Sequence, residues 1–197
     1  MLKPYGEAAP DAASVRADGG TVFLPENAPS ISQGYNPQPS DSSERQNAPD
    51  HEGIDIFAQT GTPVIAPAPG IVTGSFYEPV YGNHVVLNHG KGPDGLLVSS
   101  QFFHLQERLV KKGDKVARGR QIGTLGSTGL LSAGFPHLHY EIRVSAGPGQ
   151  SRSEPVNPHR FWADGAGIVT CFDVNRQWAD MPFKTTYPVP CRGTDWK

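Results

Sequence analysis

Polar and apolar residues alternate along the segment HLHYEIRV, residues 137–144. Every second position is apolar: Leu138, Tyr140, Ile142 and Val144. The positions between them are polar: His137, His139, Glu141 and Arg143. Because successive side chains of a β-strand point to opposite faces, the pattern predicts a strand with one face in the core and both imidazoles on the other. By spacing alone, a half-polar strand and a metal or catalytic site fit equally well.

Short apolar runs separated by turns that are rich in glycine, proline and aspartate predict further strands before this one. They lie at residues 53–56, 62–66, 71–73, 84–88, 96–104 and 122–125. No helical period of useful length interrupts them. The pattern therefore predicts a mostly β fold, in which a compact antiparallel sheet forms the domain.

Composition agrees with one main domain, since 197 residues are too few for two large ones. The 23 glycines and 19 prolines favour short strands over helices. Residues 1–30 are rich in Ala, Pro, Asp and Gly and predict an N-terminal arm, and residues 36–50 predict a solvated loop. We expect the domain at 31–160 and an irregular C-terminal extension at 161–197.

Charge and hydropathy exclude several kinds of partner. The net charge is −2, and no run of basic residues exceeds Lys111–Lys112, so neither nucleic acid nor an anionic membrane surface is expected. No apolar run approaches the length of a membrane span, and MLKPYGEAAP lacks the apolar core of a signal peptide. We expect a soluble chain, with a monomer as its state.

The chain has two cysteines, Cys171 and Cys191, both in the extension. A disulfide between them would stabilise the fold by roughly 3 kcal/mol in the chain-entropy model, whereas two buried thiols are the alternative. The bridge is favoured and would indicate an oxidising compartment, with the export signal absent from this sequence.

A second polar motif, HEGID, places His51 and Asp55 four residues apart. On an extended segment both side chains point the same way as Gly53, and we expect that the glycine leaves room there for an ion. With one imidazole from HLH, the set is two nitrogens and one carboxylate. This is the ligand set of a catalytic zinc that keeps its fourth position open for water.

The motifs together resemble the lysostaphin-like, LytM-type zinc endopeptidases, which cut peptide cross-links in bacterial cell walls. The similarity covers about two-thirds of the chain, in the family's order, through SQGY, HEGIDI, GTPVIAPAPGIV, GNHVVLNHG, FFHL, VKKGDKVARGRQIGTLGSTG, HLHYEIR and PVNP. The resemblance implies three metal ligands, His51, Asp55 and His139, and two catalytic histidines that bind no metal, His104 and His137. It implies zinc as the cofactor and peptidoglycan stem peptides as the substrate.

The same resemblance implies a periplasmic or extracellular enzyme. Relatives cut either D-alanyl-diaminopimelate bonds or glycine bridges, and the absence of a wall-binding module beside the domain favours the former. One position departs from the family, because Phe102 stands where tyrosine is more common. Glu141 is interpreted either as a residue that orients a neighbour or as one that forms a surface ion pair with Arg143 or occupies a solvated position.

Three alternatives remain beside this interpretation. The glycine-rich half-motifs PVIAPAPGIVTG and VKKGDKVARGRQIG also resemble lipoyl and biotinyl carrier domains, but no modifiable lysine stands in the required context. Some relatives bind the wall or activate amidases without catalysis, yet they lack the histidines that this chain retains. A metal-bound, self-inhibited form would use the arm or Asn36 as a blocking group. We expect a structural role for His89, and surface or packing positions for His84 and His159.

Overall fold

The structure is a computed structural model that describes residues 20–37, 50–147, 153–178 and 183–197, and the backbone at 2–4 and 16–17. Residues 1, 5–15 and 18–19 of the arm expected at 1–30 lie outside the described residues, as do residues 38–49 of the loop expected at 36–50. The division into arm, domain and extension stays a prediction.

The described residues form short strands and two single-turn 3-10 helices, at Leu130–Ser132 and Pro158–Arg160. The strands are β1 Leu2–Pro4, β2 Arg16–Ala17, β3 Gly20–Thr21, β4 Phe23–Pro25, β5 Ile31–Gln33, β6 Ile54–Phe57, β7 Pro63–Ile65, β8 Gly70–Glu78, β9 Gly82–Lys91, β10 Leu97–Leu105, β11 Glu107–Arg108, β12 Lys115–Val116, β13 Gln121–Thr124, β14 His137–Ser145 and β15 Glu154–Val156.

Eight of these strands form the main sheet, in the order β12-β8-β9-β10-β14-β6-β5, with β15 paired to β14. All of these pairs are antiparallel. Strands β11, β13 and β7 form a smaller antiparallel sheet. The mostly β, antiparallel fold that the sequence predicts is confirmed.

The alternation in HLHYEIRV positions β14 as predicted. Leu138, Tyr140 and Ile142 are fully buried on the core face. Their neighbours in the core include Phe102 of β10 and Val85 of β9. Because a one-residue shift would move every apolar side chain of a strand to the opposite face, burial of this set fixes the register of β14 against both neighbours.

Strands β8 and β9 extend beyond their predicted bounds. The sequence predicts strands at 71–73 and 84–88, but the observed pair runs from Gly70 to Glu78 and from Gly82 to Lys91. Phe76 and Tyr77 are exposed yet continue the pairing with β9. The apolar pattern marks only the buried half of this hairpin, and backbone hydrogen bonds extend it.

The C-terminal extension packs into the same core. Trp162, Tyr187 and Val189 belong to the main cluster of buried side chains. The Tyr187 hydroxyl donates to the Pro29 carbonyl over 3.0 Å. The predicted bridge between Cys171 and Cys191 is present, with the two Cα atoms 5.8 Å apart. In the part of the chain that the structure describes, no helix is long and apolar enough to cross a membrane.

Candidate metal centre and active site

The register of two neighbouring strands places three side chains around one point. His139 of β14 lies directly opposite Asp55 of β6, so their side chains share a sheet face. His51 joins them from the segment just before β6. His139 Nδ1 lies 2.7 Å from Asp55 Oδ1. His51 Nε2 lies 3.1 Å from the same oxygen and 3.1 Å from His139 Nδ1.

The outer nitrogens of both imidazoles fix which nitrogen faces inward. His51 Nδ1 lies 2.6 Å from the Gly34 carbonyl, and His139 Nε2 lies 3.0 Å from Glu141 Oε1. Carbonyl and carboxylate oxygens only accept, so these ring nitrogens carry the protons. In the neutral rings, the two inward nitrogens therefore present lone pairs beside the Asp55 carboxylate.

Three donor atoms that face one point can hold a cation at their centre. Tetrahedral zinc, with ligands at about 2.0–2.2 Å, places its donor atoms roughly 3.3 Å apart. The three donor atoms here are separated by 2.7–3.1 Å. The cluster fits one small divalent cation with three protein ligands.

The electrostatics of the cluster also favour a positive charge. Burial acts to raise the pKa of Asp55, but hydrogen bonds from His139 and His51 outweigh it and hold that pKa well below its ordinary value. Burial acts to lower the pKa of His139, but Asp55 and Glu141 outweigh it and raise the pKa to about 9. Asp55 and Glu141 contact the two nitrogens of His139 and thus stabilise a positive charge at this ring. A second proton on the ring supplies that charge, and a bound cation would supply it instead.

Gly53 is required for a reason other than the one that the sequence indicates. A Cβ at this position would lie 2.4 Å from the Tyr140 carbonyl and 3.0 Å from Glu141 Cγ. The expectation that a side chain here would occupy the ion's place is therefore wrong. Glycine allows the HEGID segment to approach the backbone of β14, and this approach brings Asp55 to His139.

Glu141 joins His139 to a basic partner. It is 3% exposed. Its Oε1 accepts from His139, and its Oε2 lies 2.7 Å from Arg143 Nη1. The same guanidinium nitrogen contacts Glu52 Oε2 at 2.7 Å. Burial acts to raise the pKa of Glu141, but His139 and Arg143 outweigh it and lower the pKa. Of the two interpretations of Glu141, the solvated position is wrong, and the pairing with Arg143 coexists with the contact to His139.

His137 lies on the same face of β14 as His139. Its Nδ1 lies 2.9 Å from the Phe135 carbonyl and therefore donates to it. Its Nε2 points towards the cluster and lies 3.9 Å from Asp55 Oδ1. The sequence predicts this common face correctly.

His104 reaches the same face through an irregular backbone. Phe103 lies opposite His139 and would therefore share its face of the sheet. Because side chains alternate along a regular strand, His104 would point to the other face, into the core with Phe102. His104 has φ of 60°, and the pairing of β10 with β9 is irregular between Phe102 and Leu105. This rare conformation turns the imidazole to within 4.8 Å of the His137 ring, centre to centre.

The hydrogen bond of His104 resembles that of His137. Its Nδ1 donates to the Thr128 carbonyl over 2.8 Å, which leaves Nε2 with a lone pair. Burial lowers the pKa of His104 to about 4, so the ring is neutral at ordinary pH. All five residues of the predicted site are thus brought together.

These side chains lie in an open cavity of about 350 Å³. Its wall includes Gln33, Tyr81 and Leu131, which sequence reasoning did not single out. Tyr81 accepts the backbone N–H of His104 at its carbonyl, over 3.1 Å. Gln33 belongs to the SQGY segment of the family resemblance, but no role follows from it, and neither Tyr81 nor Leu131 belongs to a quoted motif.

The remaining histidines do not belong to the donor cluster and make the structural or packing contacts that the sequence indicates. His89 bridges the Pro69 carbonyl and the Ser100 hydroxyl. His159 accepts from the Trp162 indole over 2.9 Å. His84 is buried, with its ring stacked 4.1 Å from that of Phe103.

A β-sheet domain with a His-Asp-His cluster on one sheet face has the architecture of a metallopeptidase. Residues 49–158, more than half of the chain, match the model of Peptidase family M23. The chain belongs to this family.

Individual relatives agree with this assignment. The peptidoglycan DD-endopeptidase ShyA of Vibrio cholerae is 38% identical over 127 residues, which are 64% of this chain and 26% of ShyA. The chain therefore spans only about a quarter of the length of this relative.

Two solved structures share the fold. A zinc-containing peptidase from Vibrio cholerae has a TM-score of 0.53 and 27% identity, over 73% of this chain and 44% of the other. Lysostaphin in solution has a TM-score of 0.53 and 27% identity, over 85% of this chain and 58% of the other. The resemblance to lysostaphin-like, LytM-type peptidases is confirmed.

Proposed function

We propose that this protein is a zinc-dependent endopeptidase that hydrolyses peptide cross-links of bacterial peptidoglycan. The observation that carries the proposal is the convergence of five side chains in one open cavity. Three inward donors meet within 3.1 Å of one another, and the Nε2 atom of a further imidazole lies 3.9 Å from the shared carboxylate oxygen.

His51, Asp55 and His139 would hold the ion. Two imidazole nitrogens and one carboxylate oxygen are a donor set typical of catalytic zinc, which leaves one coordination position open. When bound, zinc supplies a water of lowered pKa and a Lewis acid that polarises the scissile carbonyl. Glu141 keeps the proton of His139 on Nε2, so that Nδ1 remains available as a ligand.

His104 and His137 would move the protons. Each has an Nε2 lone pair in its neutral form because its Nδ1–H donates to a backbone carbonyl. One Nε2 accepts the proton of the attacking water, and a protonated ring stabilises the oxyanion and returns a proton to the leaving amine. Burial keeps His104 neutral and ready to accept.

The proposed bond joins D-alanine to diaminopimelate. Support comes from the relatives, since ShyA is named a peptidoglycan DD-endopeptidase. Peptidoglycan lies outside the cytoplasm, so we propose a periplasmic or extracellular place of action. The disulfide in the extension is consistent with an oxidising compartment.

The test is mass spectrometry of muropeptides after zinc-loaded protein has been incubated with purified, cross-linked sacculi. We expect cross-linked dimers to disappear and monomers to accumulate, and the masses and fragment ions of the products identify the bond. His137→Ala is the matched control, because it leaves the three donors in place. Dimers that persist while zinc is bound would contradict the endopeptidase assignment.

A further inference from the structure

Ser132 lies in the loop between β13 and β14, and its hydroxyl organises the backbone of that loop. The side chain is buried, with 2% of the residue exposed. Its Oγ lies 2.7 Å from the Ser127 carbonyl and 2.8 Å from the Gly129 carbonyl. It also accepts the Gly134 N–H over 3.3 Å. One hydroxyl therefore links the first and last parts of the turn formed by residues 127–134.

The end of this turn supports His137. The Phe135 N–H donates to the Ser132 carbonyl over 3.0 Å, and the Phe135 carbonyl accepts from His137 Nδ1. Phe135 is 70% exposed, so packing of its side chain does not hold this carbonyl in place. The position of the acceptor depends on the turn. Backbone hydrogen bonds from Leu130 and Leu131 hold the middle of this turn, and the Ser132 hydroxyl links its two ends.

The start of the loop supports His104 by an independent route. The Thr128 hydroxyl donates to the Leu105 carbonyl over 2.7 Å and accepts the Asn83 N–H over 2.9 Å. The Ser132 hydroxyl also contacts the carbonyls of Ser127 and Gly129 on either side of Thr128, but the contacts of the Thr128 hydroxyl to β9 and β10 do not involve Ser132 and hold its carbonyl beside His104. The two imidazoles therefore have separate supports within one loop.

We propose that Ser132 is a positioning residue for the reaction, acting on His137 through the Phe135 carbonyl. The inference rests on the proposed function, in which His137 transfers protons. Loss of the hydroxyl releases the Phe135 carbonyl, so His137 loses the acceptor that keeps its proton on Nδ1 and directs Nε2 into the cavity. His104 and the three donors of the metal centre keep their contacts.

The test compares Ser132→Ala with the wild-type protein in two measurements. Steady-state kinetics on purified muropeptide dimers should show kcat lower by roughly tenfold or more, because small displacements of a reacting group are costly, with KM within about twofold. Nitrogen-15 NMR of the zinc-loaded protein should show the Nδ1–H signal of His137 lost or in fast exchange with water. The corresponding signal of His104 should persist as an internal reference.

Ser75→Ala is the matched control, since the Ser75 hydroxyl also donates to one carbonyl, that of Val110, over 2.7 Å. It should leave kcat and both ring signals unchanged. Unchanged kcat in Ser132→Ala, or a loss of activity explained by weaker zinc binding or a lower unfolding midpoint, would overturn the inference. An inactive wild-type protein would instead contradict the proposed function, so the two failures are distinguishable.

Discussion

The two halves of the site are positioned by different parts of the fold. Two of the three donors of the proposed metal centre depend on strand pairing, since His139 and Asp55 are direct partners across β14 and β6. The other pair, His104 and His137, depends on two loop carbonyls, and His104 also needs an unusual backbone conformation. The register of a buried sheet thus brings two of the donors together, whereas local hydrogen bonds orient the rings of His104 and His137.

This difference has a physical consequence. The register of β14 is maintained by buried side chains along its whole length, so a single polar substitution on the other face does not change it. The positions of the two loop carbonyls are easier to disturb, because each depends on a few nearby contacts. We expect metal binding and proton transfer to be separable by mutation.

The largest effect is expected for Asp55→Ala, which removes the donor that both histidines contact. The variant should bind little zinc at a concentration that saturates the wild-type protein, and its activity should fall below detection because the ion supplies the nucleophile. Zinc content by elemental analysis and release of muropeptide monomers measure the two properties.

Asp164→Ala is the matched control for this change. Asp164 is a partly exposed carboxylate that pairs with Arg176 over 2.6 Å, outside the cavity. It should retain full zinc content and activity. Retention of stoichiometric zinc by Asp55→Ala would show that the cluster is not the metal centre.

His137→Ala and His104→Ala should separate the two halves. Each variant should retain zinc, since neither ring belongs to the donor set, but kcat should fall by roughly 10²–10⁴-fold through loss of acid–base catalysis. Zinc content and kcat measured on the same preparation give the comparison. Loss of zinc in parallel with kcat would mean that the two halves act as one unit.

Glu141→Gln should affect the metal centre more weakly. The amide can still accept from His139, but the negative charge that supports the ligand is lost, and we expect zinc affinity to fall by about 10–100-fold. Competition with a chromogenic chelator measures it. Glu107→Gln, at an exposed glutamate, is the control, and equal affinities for the two variants would exclude a role of Glu141 in metal binding.

Sequence reasoning predicted the histidines of β14 better than it predicted His104, because strand alternation fixes the former and a local irregularity places the latter. Alternation in HLHYEIRV shows directly that His137 and His139 share a face, because burial of Leu138 and Tyr140 determines it. The turn that brings His104 to this face is a local irregularity of β10, and no residue pattern indicates a positive φ at a histidine. The family resemblance identified His104, whereas alternation alone would have placed it in the core.

A similar limit applies to the extension. Its prolines and irregular pattern predict little regular structure, and the structure has no long strand among its described residues. The sequence did not show that Tyr187 and Val189 fill the main core, since these contacts join residues that are distant in sequence. The disulfide was predictable because only two cysteines are present.

The pH dependence of zinc binding should further distinguish the proposed metal donors from His104 and His137. The pKa of His139 is raised to about 9, so below that pH the ring carries a second proton, on Nδ1. This proton must leave when zinc binds. Affinity should therefore fall about tenfold for each unit that the pH is lowered below about 9. The pKa of His104 is lowered to about 4, so this ring stays neutral across the same range. Dissociation constants between pH 6 and 8 test this, and values independent of pH would contradict it.

The smallest effect on the site is expected from the disulfide. Replacement of both Cys171 and Cys191 with serine should lower the free energy of unfolding by about 3 kcal/mol, since the bridge restricts the unfolded chain. For a chain of this size, that corresponds to an unfolding midpoint lower by roughly 6–12 °C. Neither cysteine lines the cavity, so kcat and zinc content at 25 °C should not change. A fall in kcat at 25 °C, with the protein still folded, would show that the extension also supports His104 and His137. The contacts that position these two rings would then include residues outside the loop between β13 and β14.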